Sequence, residues 1–151
     1  MSMDEINSLQ TALLETYKEV VDLLPQILRA CQLGITREIS TFPYDFDRIE
    51  SEFKLYQSLV QLLQGKWVVE VIYLVLHLKS SSFNDLKRHI PFIGSRILTD
   101  RLRFLEDKGI VKREIVAEHP IRVMYSLTEF GMGLISMVLP AFFYYIQNHP
   151  L

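Results

Sequence analysis

Apolar residues return at spacings of three and four along the first part of the chain, at Ile6, Leu9, Leu13, Tyr17, Val20, Leu24, Ile27 and Cys31. On a surface with about 3.6 residues per turn they fall on one stripe, which predicts a helix from about Asp4 to Gln32. From Leu13 onward the steps alternate four and three, as in a coiled-coil seam. Pro25 lies inside the pattern and lacks an amide donor, so a kink or split is expected there, with Gly34 as a stop. The stripe either covers its own domain or pairs with a second subunit, and Cys31 belongs to it as a buried packing residue.

Ile35 to Tyr44 reads as a connector punctuated by Pro43. A second helix begins near Asp47, which can cap it with Glu50 three residues on. Ile49, Phe53, Tyr56, Leu59, Val60 and Leu63 form its buried face, and Gln64-Gly65 ends it. Lys66 to Leu78 is apolar almost all round, as in a helix at the centre of a core. His77 inside it reads as a core or subcore residue. Ser80-Ser81-Ser82 breaks the pattern and caps a short helix, Phe83 to His89, which Ile90-Pro91 terminates. The stretch from Gly94 to Lys108 then buries Leu98, Leu102 and Leu105, widened by Ile97 and Phe104.

After Gly109 the periodicity changes. Ile110 to Val116 and Arg122 to Leu127 are strand-like, and Glu118-His119-Pro120 turns the chain between them, giving a hairpin. Thr128 caps a last helix carrying Phe130, Leu134, Val138, Phe142 and Tyr145, with Pro140 as a kink. The order of helix, short helix, third helix and two-stranded hairpin defines a winged helix-turn-helix in a mainly α chain. The organisation expected is a helical arm at 1–45, the winged domain at 46–128 and a C-terminal helix at 129–151.

Charge sharpens this picture. The chain carries a net charge of −2. Residues 1–64 hold 5 Lys/Arg against 10 Asp/Glu, whereas residues 65–127 hold 11 against 7. A basic segment inside an acidic chain points to a polyanion partner. Opposite the leucines of the third helix stand Ser95, Arg96, Thr99, Asp100 and Arg103. Arg96 and Arg103 suit base edges or phosphates, and Ser95 and Thr99 suit hydrogen bonds to either. Arg101 lies on the flank, paired with Glu106 or Asp107 or reaching a phosphate. Lys112, Arg113 and Arg122 place cations on both sides of the wing, and Lys87 and Arg88 on the short helix flank the same surface. The expected geometry sets the helix at about 95–108 in a major groove and the wing at about 110–127 on the backbone.

Other classes find little support. One cysteine excludes an internal disulfide or a multi-cysteine metal site. His77, His89, His119 and His149 share no ligand spacing, and no nucleophile–base set or phosphate loop is present, so neither an enzyme nor a cofactor is expected. The opening Met-Ser-Met-Asp-Glu is unlike a secretory leader. The apolar run from Leu134 to Ile146 falls short of the roughly 20 residues of a membrane span. These readings predict a cytoplasmic protein without membrane contact.

Gly65-Lys66-Trp67, Ser82-Phe83-Asn84-Asp85-Leu86, Leu98-Thr99-Asp100-Arg101-Leu102 and Tyr125-Ser126-Leu127-Thr128 with Gly131 together resemble the HxlR-type branch of the winged-helix regulators of the MarR-like superfamily. The resemblance spans about residues 60 to 135. It implies a dimeric DNA-binding regulator of transcription, with Trp67 in the core, Pro120 at the wing tip and the terminal helices at the dimer interface. Many members carry a sensor cysteine about a helix length before the Gly-Lys-Trp, whereas this chain has Phe53-Lys54-Leu55-Tyr56 there. The arm departs from the family's usual start.

Stripes on the first, second and last helices exceed what one small domain can hide, which predicts a homodimer of two-fold symmetry. Leu13, Tyr17, Val20, Leu24, Phe142 and Tyr145 are the expected interface residues. Asp100 on the reading face, the overall acidity and the apolar arm fit a second reading, a winged-helix scaffold for protein–protein contact that does not bind DNA. No residue identifies a small-molecule effector.

Overall fold

The computed structural model describes residues 2–42, 45–118 and 120–149. In chain order the elements are α1 (Met3–Thr16), α2 (Lys18–Thr41), α3 (Phe46–Leu63), α4 (Val68–Leu78), β1 (Ser81–Ser82), α5 (Phe83–His89), α6 (Ser95–Asp107), β2 (Val111–Glu118), β3 (Ile121–Leu127) and α7 (Glu129–Asn148). They form two compact units, Asp47–Leu134 and a second made of Met1–Phe46 with Ile135–Leu151. The arm and most of the last helix belong to the second unit.

In the unit Asp47–Leu134, α4 is the central element. Val68, Val71, Ile72 and Val75 are buried on it, facing α5, α6 and β3. Leu86 of α5 and the stripe Leu98, Leu102 and Leu105 of α6 complete that core, with Ile90, Ile93, Ile110 and Val111 closing it. Ile97, expected in the stripe, is exposed, and Phe104 is half-buried. Ser82 caps α5 through a reciprocal box: its hydroxyl accepts from the Asp85 amide at 3.2 Å, and the Asp85 carboxylate accepts from the Ser82 amide at 3.0 Å.

The hairpin is part of a three-stranded antiparallel sheet in the order β1-β3-β2. Ser81 and Ser82, expected only as a cap, pair with Tyr125 and Met124 and so tie the wing to the helix-turn-helix. A register shift between Ile115 and Ala117 kinks β2. Pro120 is exposed in the turn, and the expected turn residue His119 lies outside the described residues.

The end of α6 is set by Gly109 at φ +69°. Its amide donates to the Glu106 carbonyl and the Ile110 amide to that of Leu105, each at 2.9 Å, the two bonds of a Schellman stop. The next joint is Thr128. Its hydroxyl donates to the Gly109 carbonyl at 2.5 Å and accepts from the Gly131 amide at 2.9 Å, capping α7 while holding the α6 terminus. A Cβ on Gly131 would stand 3.0 Å from the Ile110 carbonyl carbon and closer still to its oxygen.

The other unit has a small core of Leu24, Phe143 and Ile146, with Leu13, Leu14, Tyr17, Val20, Val21 and Leu139 packed on it. The Tyr17 and Phe143 ring centroids lie 5.0 Å apart. Gln10 donates to the Ile146 carbonyl at 3.0 Å.

The arm, α7 and Cys31 differ from their expected form. The arm breaks at Tyr17 rather than at Pro25, and even there Tyr17 and Val21 each keep their bond to the residue four back. α2 runs through Pro25 and Gly34 to Thr41, so the connector from Ile35 is helical; Pro43 and Tyr44 lie outside the described residues. Pro25 is exposed, where water can serve the Val21 carbonyl that its missing amide leaves free. α7 likewise continues through Pro140. Cys31 is exposed rather than packed.

The face of α3 expected to be buried is open, with Phe53, Tyr56 and Val60 at 58%, 69% and 58% exposure, because α4 faces α5, α6 and β3. Trp67 is half-buried at φ 72°, heading α4 after a 64° bend from α3. His77 is exposed, its ring 4.1 Å from that of Tyr73. α7 has 20 residues and is long and apolar enough, by length and composition, to cross a membrane. Phe143 and Ile146 are instead buried within its own unit.

Candidate nucleic-acid interface

The site is the outward side of α6 with its flanking hairpin. Burying Leu98, Leu102 and Leu105 on one side turns Ser95, Arg96, Asp100 and Arg103 to solvent. Gly94 occupies the N-cap and makes no side-chain cap, so the first amides of α6 lack the usual side-chain acceptor among the described residues. Those amides and the helix dipole favour an anion at this end. Thr99 is half-buried, and its hydroxyl donates to the Ser95 carbonyl at 2.9 Å, keeping its lone pairs as acceptors.

The wing supplies the second wall. Thr99, Leu102, Arg103 and Glu106 of α6 meet Arg113 and Tyr125 of the hairpin around a cleft of about 420 Å³. Two arginines from different elements, Arg103 and Arg113, thus line one cleft together with Glu106. Arg122 is exposed on β3. Among the described residues, none forms an ion pair with Arg96, Arg103, Arg113 or Arg122.

Three expected contacts are already engaged. Lys87 donates to the Ile93 carbonyl at 2.5 Å and so braces the turn before α6. Arg88 lies 4.0 Å from the Asp85 carboxylate. Lys112 pairs with Glu114 at 3.1 Å. Exposed pairs of this kind are worth about 1 kcal/mol or less, so Arg88 and Lys112 remain exchangeable. Arg101, expected to reach an acidic neighbour or a phosphate, turns inward: its Nη1 is 3.5 Å from where a Gly65 Cβ would stand, and its Nε is buried without a hydrogen-bond partner.

Tyr125, which lines the cleft, and Phe92, exposed in the turn before α6, are not among the contacts expected from the sequence. Tyr125 was legible only as a strand residue. For Phe92 the signal was Ile90-Pro91-Phe92-Ile93, a proline followed by a residue that must turn the chain. Among the described residues, no group of three or more His, Cys, Asp or Glu is placed to hold a metal.

A buried-stripe helix entered by a tight turn, with an antiparallel hairpin tied to its scaffold through β1, defines a winged helix-turn-helix protein. The profile of the HxlR-like helix-turn-helix family matches residues 62–149, and the chain belongs to that family. It is a family of DNA-binding transcription regulators and not of enzymes. The chain is 34% identical over 79 residues to the uncharacterized HTH-type transcriptional regulator YvaP of Bacillus subtilis, covering 52% of this chain and 72% of the relative. YybR of the same organism is 42% identical over 80 residues, covering 53% and 63%. Among solved structures, the reduced form of the transcriptional regulator YodB from B. subtilis superposes with a TM-score of 0.56 at 31% identity, covering 62% of this chain and 91% of that one. The redox regulator HypR in its reduced form gives 0.54 at 37% identity, covering 67% and 94%.

Proposed function

We propose that this protein is a sequence-specific regulator that binds double-stranded DNA as a homodimer in the cytoplasm. α6 enters the major groove, which admits one helix, and the β2–β3 hairpin lies on the adjoining backbone. The observation that carries this reading is the arrangement around α6. Arg96 stands free in the first turn of α6 and Arg103 about two turns further along it, and Arg113 of the hairpin lines the same cleft as Arg103. Ser95 and Thr99 supply hydrogen-bonding groups, and Arg122 extends the cationic surface along the wing.

Apolar surface left uncovered supports the homodimer. Most of α7 is open to solvent, and Phe142 and Tyr145 are 41% and 54% exposed. The open face of α3 adds Phe53, Tyr56 and Val60. Leu13, Tyr17, Val20 and Leu24 pack on Phe143 and Ile146 within their own chain, so the surfaces proposed for a second copy are those still open: α3, the outward side of α7 and, on the arm, Leu23, Leu33, Ile35 and Ile39. Two half-sites then lie about one helical turn apart, roughly 34 Å.

The test is binding to a random-sequence duplex at low salt, repeated with Arg96→Ala/Arg103→Ala. Salt-sensitive binding that the double variant loses is the expected result, and duplexes selected from a random pool carry paired half-sites. Asp100 and Glu106 on the reading side fit the scaffold alternative, and absence of binding at low salt selects it.

A further inference from the structure

Between α5 and α6 the chain makes one tight turn, Ile90-Pro91-Phe92-Ile93, closed by a bond from the Ile93 amide to the Ile90 carbonyl at 3.4 Å. Proline at the second position and a positive φ at the third are the marks of a type II turn, whose third position calls for glycine or asparagine. Here that position holds Phe92, at φ 65°. A bulky residue in the left-handed region is strained by its own Cβ. The same ring is 98% exposed, while Ile90 and Ile93 on either side are 3% and 2% exposed. The two isoleucines anchor the turn in the core and Lys87 fixes its carbonyl, so the turn holds the ring outward.

The position therefore carries two costs, strain and a fully solvated aromatic side chain, and the fold recovers neither. Glycine would remove both. Strain of this kind points to function when it stands at a site. Phe92 is three residues ahead of Ser95, at the end of α6 that presents Arg96 and the uncapped amides. An isolated aromatic on a cationic surface fits a polyanion that also offers apolar patches. DNA has two such patches near a helix entering the major groove: the 5-methyl group of thymine and the CH faces of deoxyribose.

We propose that Phe92 is a DNA-contacting residue, which covers an apolar patch of the duplex at the edge of the half-site read by α6. The inference rests on the DNA-binding reading above and adds a hydrophobic contact to its polar ones. Because the contact is uncharged, it contributes affinity without contributing to the salt dependence, which follows the number of neutralised phosphates.

The test compares wild type, Phe92→Gly, Phe92→Leu and Arg96→Ala/Arg103→Ala on a duplex selected from a random pool, and on the same duplex with uracil in place of thymine. Phe92→Gly suits the turn, so its thermal midpoint should equal or exceed that of wild type, which separates contact from folding. Its affinity is expected to fall roughly tenfold, the order set by uncovering one large apolar side chain, with the salt slope unchanged and Phe92→Leu retaining most of the binding. If uracil lowers wild-type affinity by the same factor and removes the difference from Phe92→Gly, the patch is the thymine methyl. If the difference persists on uracil DNA, the patch is deoxyribose. A stable Phe92→Gly protein that binds with wild-type affinity and base preference overturns the inference and leaves the regulator reading standing. A wild-type protein that fails to bind DNA overturns both.

Discussion

Lys87 on α5 donates to the carbonyl of Ile93, 2.5 Å away and two residues before α6. A cation that composition places among the DNA contacts is thus a clasp across the helix-turn-helix joint. The bond satisfies a carbonyl in a turn where Ile93 is buried and Phe92 exposed, and it sets the direction from which the chain enters α6.

Lys87→Met keeps the aliphatic stem and removes the donor. Stability should fall by about 1–2 kcal/mol, the net worth of a hydrogen bond from a charged group, seen as a lower midpoint in urea. The salt slope of DNA binding should match wild type, whereas losing a true phosphate contact lowers the slope by about 0.9 per charge removed from B-DNA binding. A reduced slope for Lys87→Met would return this lysine to the phosphate-contacting set.

Much of the winged unit is legible in the sequence because its local signals agree with its packing. Leu98, Leu102 and Leu105 share a face at helical spacing, Ser82 with Asp85 forms a cap, and Lys108-Gly109 ends a helix through φ +69°. Less legible are features that depend on partners distant in sequence. The pairing of Ser81 with Tyr125 needs the hairpin in place. The bend at Tyr17 accompanies the contact of its ring with Phe143 rather than any breaker residue. Pro25, the strongest local breaker in the arm, is overridden on an exposed stretch of helix. The apolar stripe of α3 shows that a helix has a face to cover but not what covers it. At the candidate interface, residue type marks the cations, while geometry separates the unpaired Arg96 and Arg103 from the engaged Lys87 and the inward-turned Arg101.

Gly131 and Gly133 sit two residues apart in α7 and should respond oppositely to alanine. A Cβ at Gly131 meets the Ile110 backbone, which the Thr128 joint holds in place, whereas nothing lies within 4 Å of a Cβ at Gly133. Gly131→Ala should destabilise by about 1–3 kcal/mol, as overpacking against fixed atoms does. Gly133→Ala should stabilise by about 0.5–1 kcal/mol through the lower entropy of its unfolded chain. Paired urea titrations check both signs, and equal effects would mean that the α6–α7 joint yields.

Asp85 has its carboxyl held below the ordinary value of 3.8, first by the Ser82 hydroxyl and then by the Ser82 amide, which both donate to the charged form. A carboxylate with a lowered folded-state pKa contributes stability above its unfolded-state value, and that contribution disappears as pH falls through the folded-state value. Asp85→Asn should therefore lower the thermal midpoint at neutral pH. The gap from wild type should close only as pH drops below about 3.8. Melting both proteins across that range checks it, and a gap independent of pH would separate the cap from the ionisation.

The outward residues of α3 test the assembly, since they contribute little to the subunit's own core. Phe53 and Val60 are each 58% exposed, so Phe53→Glu/Val60→Glu should leave the monomer folded by circular dichroism. If α3 meets a second copy, two carboxylates per chain enter an apolar contact, where unpaired charge is costly. Light scattering should then find the 17.7 kDa monomer for the variant and twice that mass for wild type. DNA affinity should fall far more than one lost side-chain contact allows, because joining two half-site readers raises their effective concentration. Arg96→Ala/Arg103→Ala supplies the opposite pattern, with the dimer kept and DNA lost. A wild-type protein that is monomeric at binding concentrations, or a dimer that survives both glutamates, would remove α3 from the interface and leave its apolar face to another occupant.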